Sequence, residues 1–67
     1  MGKLFEYREQ IEKHIATNNL DVFKTRGKLA MKCGFIVTLI RPDEPDDPEK
    51  MKLLQEAADE VLGLKLY

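Results

Sequence analysis

Apolar residues fall along the chain in three stretches. In the first, Leu4, Tyr7, Ile11, His14 and Ile15 recur at helical intervals, while Glu6, Glu9, Glu12 and Lys13 take the other side. That pattern predicts an amphipathic helix with one buried stripe. The last stretch, Met51, Leu54, Ala57, Ala58, Val61 and Leu62, has the same period. Its boundaries are marked chemically. Asp47 can accept bonds from open first-turn amides, Pro48 has no N–H to leave unpaired there, Glu49 complements the helix dipole, and Gly63 stands where a left-handed cap belongs.

The middle stretch admits two readings. Val22, Arg26, Leu29, Cys33, Ile36 or Val37, and Ile40 keep a helical period straight through Gly34, and Pro42 disfavours helical geometry at Arg41. The competing reading is a strand over residues 35–40 (FIVTLI), whose β-branched and aromatic side chains suit a buried strand. Such a strand would have only residues 62–67 to pair with, and an isolated two-stranded ribbon of that length is marginal. The expected fold is therefore an all-α, antiparallel three-helix domain with helices over 3–16, 20–40 and 48–62. An α+β arrangement with a short strand at 35–40 is the alternative. Gly27 and Gly34 weigh against the long middle helix, since each costs about 1 kcal/mol relative to Ala inside one.

A helix over 20–40 would have more apolar surface than one core can take. Val22, Leu29, Cys33, Ile36 and Ile40 supply one stripe, leaving Met31, Phe35 and Leu39 on another. Gly27, Ala30 and Gly34 form a low ridge that would let another backbone come close. Unless the tail at 62–67 folds over Phe35 and Leu39, this second face implies a partner: a second copy of the chain or a helix of another protein. Burying side chains of this size is worth about 1.5–3 kcal/mol each, which a small domain can hardly forgo.

Composition narrows the choice of function. Sixty-seven residues, 43% hydrophobic and 34% charged, make one small globular domain, and a net charge of −1 lacks the basic excess of a dedicated nucleic-acid binder. One Cys (Cys33) and one His (His14) cannot form an internal disulfide or a Cys/His zinc site, so no metal or cofactor is expected and a reduced, cytoplasmic setting is. Cys33, on the apolar face, is expected to be a buried thiol, and His14 to lie at the edge of the core. The opening MGKLFEYREQ has no apolar run fit for a signal peptide, and Glu6 breaks the myristoylation pattern. The longest apolar stretch, 29–40, contains Lys32 and is too short to span a bilayer.

Charge is nonetheless segregated. Residues 22–42 carry Lys24, Arg26, Lys28, Lys32 and Arg41 with no acid, and residues 43–60 carry eight acids against Lys50 and Lys52. Mutual neutralisation between the second and third helices is the simplest expectation. An anion or nucleic-acid site using Lys24, Arg26, Lys28 and Lys32 is the alternative, although no aromatic residues interleave the lysines as a stacking platform requires. A helix-turn-helix is disfavoured by Pro42 and Pro45, which fall where its recognition helix would run. The acidic run 43–49 lacks the spacing and turn glycine of a calcium loop and reads as a rigid connector. No nucleophile with a base and no phosphate-cradling loop is recognisable, so a non-enzymatic interaction or self-assembly module is the leading expectation.

Overall fold

The computed structural model describes residues 2–67 and is all-helical: α1 (Lys3–Thr17), α2 (Val22–Cys33) and α3 (Pro48–Leu62), with a 3₁₀ turn at Val37–Leu39 and no strand among the described residues. The all-α expectation holds and the strand at 35–40 does not. The helix expected over 20–40 is also corrected. It begins after Asp21, whose carboxylate accepts from the Lys24 N–H at 2.9 Å, and it ends at Cys33.

Gly34 ends α2. Its φ of 84° is left-handed, open to glycine at no steric cost, and its N–H returns to the Ala30 carbonyl at 2.8 Å. Beyond this cap the chain turns back, and Val37 and Ile40 enter the core while Ile36 and Leu39 face out. The apolar period survives Gly34 for a physical reason. A 3₁₀ turn has three residues per turn, so Val37 and Ile40 share a side much as they would in an α-helix.

The core is assembled from all these pieces. α1 supplies Leu4, Tyr7, Ile11 and Ile15, the stripe expected for it, with His14 half-buried at its edge. α2 supplies Leu29 and Cys33, and α3 supplies Leu54, Ala57 and Ala58, with Met51, Val61 and Leu62 partly buried beside them. Val22, expected in the core, is exposed. Tyr7 keeps its hydroxyl satisfied by accepting from Gln55 Nε2 at 2.6 Å.

Local hydrogen bonds fix how the segments meet. α1 ends in a Schellman turn, with Asn19 in the left-handed region (φ 53°), its N–H on Ala16 O, and the Leu20 N–H on Ile15 O. The acidic connector serves two helices at once. Asp47 caps α3 as expected, accepting from Glu49 N (3.0 Å) and Lys50 N (3.4 Å), while Asp46 reaches the start of α1 and accepts from Leu4 N at 3.2 Å. Arg8 donates to the Ile40 carbonyl at 2.8 Å, tying α1 to the end of the 3₁₀ turn. The tail takes a different course from the one considered above: Leu64 and Leu66 pack on the core, and the Tyr67 backbone exchanges two hydrogen bonds with Gln10 on α1.

Two glycine substitutions should move stability in opposite directions. A Cβ at Gly27 meets nothing within 4 Å, so Gly27→Ala should raise stability by about 0.5–1 kcal/mol through helix propensity. Gly34→Ala should lower it by about 1–2 kcal/mol, the penalty of a left-handed alanine. Asp46→Ala should cost about 1 kcal/mol, as a lost helix cap does. Urea unfolding followed by circular dichroism checks all three, and equal effects of the two glycine changes would contradict the assigned cap.

Candidate functional site

α2 carries four cations and no acid, and the fold divides them into two pairs. Arg26 lies on the flank facing α1, where its guanidinium meets the Glu12 carboxylate through Nη2 at 2.8 and 3.0 Å and Nε at 3.2 Å. Lys32 lies on the flank facing α3, with its ammonium 2.6 Å from Glu60 Oε1. Both are neutralised internally: Lys32–Glu60 joins the second and third helices as expected, whereas Arg26 takes its acid from α1 and not from the acidic segment. Lys24 and Lys28 point away from the core, are exposed, and form no ion pair with any described acid. The four residues considered for anion binding thus do not make one patch. Two are occupied and two are free.

The same outward side of α2 is apolar. Phe23 and Met31 are each 87% exposed, and Gly27 lies midway between them at helical spacing with open space over it. Two turns of helix separate Phe23 from Met31, about 12 Å along the axis. Beside this ridge, a groove of about 570 Å³ runs between α2 and α3, lined by Lys28, Met31, Lys32, Glu60 and Val61. Its walls combine two apolar side chains with an ion pair, and it is open to solvent.

Met31, Phe35 and Leu39 were expected to share one face, but the turn at Gly34 separates them. Met31 stays on α2. Phe35 is half-buried, with the Lys50 ammonium over its ring at 5.6 Å from the centroid. Leu39, 68% exposed, and Ile36, 54% exposed, stand on the 3₁₀ turn at a smaller hollow that Phe35, Glu44 and Lys50 help to line. Phe23 is the residue that the reading from periodicity passed over. Its signal was available: it lies one residue from Val22 on the stripe and four before Gly27, so a helix that buries Leu29 must turn Phe23 outward.

Other chemistry-bearing residues have structural surroundings. Cys33 is buried, with its thiol donating to the Phe35 carbonyl at 3.2 Å. Among the described residues, no group of three His, Cys, Asp or Glu side chains is placed to hold a metal ion, and no helix is long and apolar enough to cross a membrane. No protein-family model matches the chain, and no curated protein or solved structure matches it at a significant level.

The cations on α2 should separate in a stability measurement. Arg26→Ala should destabilise by up to about 1 kcal/mol, less in high salt, because a multiply bonded but partly exposed pair is lost. Lys24→Ala and Lys28→Ala should stay within about 0.5 kcal/mol of the parent. Urea midpoints at low and high salt are the readout, and a large loss for Lys24→Ala would reveal a partner on this chain.

Proposed function

We propose that this domain is a non-enzymatic protein-binding module, and that the outward face of α2 is its main contact surface. The observation that carries this reading is the near-complete exposure of Phe23 and Met31 on either side of an uncovered glycine. Single exposed apolar residues are ordinary, but two large ones aligned on one helix ridge, next to a groove and flanked by free cations, are the makings of an interface. Ile36 and Leu39 add a second, smaller apolar knuckle. Self-assembly is one form of this function, and binding to a different protein is the other.

An anion-binding role has less support. With Arg26 held by Glu12 and Lys32 by Glu60, the free charge on α2 is reduced to Lys24 and Lys28. Nucleic-acid affinity grows with the number of phosphates neutralised, and two lysines contribute little.

Site-specific photo-cross-linking in cells tests the proposal. A benzophenone side chain at position 23 or 31 should give discrete protein adducts, and one at Lys52 on the exposed side of α3 should give none above background. Adducts with the chain itself would identify self-assembly, and equal background at all three positions would reject the module reading.

A further inference from the structure

We infer that the partner of the α2 face is an acidic amphipathic helix, seated along α2 with an apolar side chain over Gly27 and carboxylates beside Lys24 and Lys28. The inference rests on the protein-binding reading above and names the chemistry of the partner.

The shape of the face selects a helix. Phe23 and Met31 rise at the two ends of a two-turn ridge, and the Cβ-less gap at Gly27 lies between them. A helix presents side chains every three or four residues, about one turn apart, so one of its knobs enters the gap while its neighbours straddle Phe23 and Met31. An extended strand fits poorly. The backbone groups of α2 are spent within the helix, so a strand laid on this ridge would lose water from its own N–H and C=O groups without gaining partners.

Charge selects an acidic one. The acids paired with α2 side chains are Glu12, with Arg26, and Glu60, with Lys32, while the Asp21 carboxylate at the helix start accepts from the Lys24 backbone N–H. Lys24 and Lys28 are left on one flank of the ridge, four residues apart, matching the spacing at which a facing helix offers two carboxylates. A basic partner would meet two uncompensated ammonium groups at this flank, and an acidic one would satisfy both.

Neither α2, α3 nor the 3₁₀ turn of a second copy supplies this surface. Pairing α2 with itself brings lysines against lysines, because α2 contains no acid. Beyond Pro48, the exposed positions of α3 are Glu49, Lys52, Gln55, Glu56, Asp59 and Glu60, with no apolar residue to cover Phe23 and Met31. Ile36 and Leu39 stand on a three-residue turn, too short to lie along two turns of helix.

The test uses the whole chain and two synthetic peptides of about 20 residues with the same leucine stripe, one flanked by glutamates and the other by lysines at the same positions. Fluorescence anisotropy should show the acidic peptide binding at least about tenfold tighter, with the preference shrinking several-fold as salt rises from about 50 to about 500 mM. Lys24→Glu with Lys28→Glu should reverse the preference. Gly27→Leu should weaken binding at least about tenfold by filling the gap, with a melting temperature no lower than that of the parent showing that the fold is intact. Equal affinity for the two peptides, or indifference to Gly27→Leu, would overturn the inference. A concentration-dependent dimer in light scattering that Gly27→Leu abolishes would overturn it in favour of a second copy. Binding to phosphatidylcholine vesicles with about 20% phosphatidylserine, lost in Phe23→Ser and without peptide discrimination, would overturn it in favour of a membrane surface. Cross-links at position 23 without peptide discrimination would remove only the acidic-helix assignment, and absence of cross-links would remove the module reading beneath it.

Discussion

The left-handed backbone at Gly34 is the constraint on which the remaining structure depends. By ending α2 at Cys33 it releases six residues of high β propensity from both helix and strand, and lets Val37 and Ile40 close the core from one side. Had α2 continued, those two residues would have been carried along the helix axis, away from the places they hold in the core. The short turn that replaces the last part of the helix also brings the Ile40 carbonyl within reach of Arg8 on α1. A single glycine thereby decides the length of the middle helix, the closing of the core, and which apolar residues face solvent.

The acidic connector shows how a chain of this size gains from each charged residue. Asp46 and Asp47 are adjacent, yet one completes the first turn of α1 and the other that of α3. Two helix starts are held together by neighbouring carboxylates, so the register between α1 and α3 is set by hydrogen bonds as well as by packing. An added Cβ on Gly2 would come within 2.8 Å of Asp46 Oδ1 and 2.9 Å of the Glu44 carbonyl, which shows how closely the chain passes this connector. Two carboxylates of the acidic run are therefore committed to backbone amides, and Glu44 faces Lys50 at 3.6 Å.

Ion pairing on α2 follows the same economy and leaves the proposed contact face by subtraction. Its two flanks meet acids from α1 and α3, and its outward side keeps the two lysines that found none. The apolar ridge of Phe23 and Met31 lies on that same side, so hydrophobic surface and uncompensated positive charge coincide. That coincidence is the ground for the proposed preference for an acidic partner.

Much of the fold was legible in the sequence because local rules govern it. The stripes of α1 and α3, the cap at Asp47 with Pro48 behind it, and the stop at Gly63 rest on residue spacing and on backbone groups within one turn, and they stand in the structure where they were expected. The buried thiol of Cys33 and the boundary position of His14 follow from the same spacing. The middle segment was not legible, because a 3₁₀ turn and an α-helix leave nearly the same apolar period, and only the packing of Val37 and Ile40 against other elements separates them. For the candidate site, the sequence by itself determined that α2 is basic and has apolar residues to spare. Tertiary structure decided which of them are spare: pairing Arg26 and Lys32 with acids 14 and 28 residues away in the chain, and drawing Phe35 partly into the core, are long-range events that no local pattern encodes.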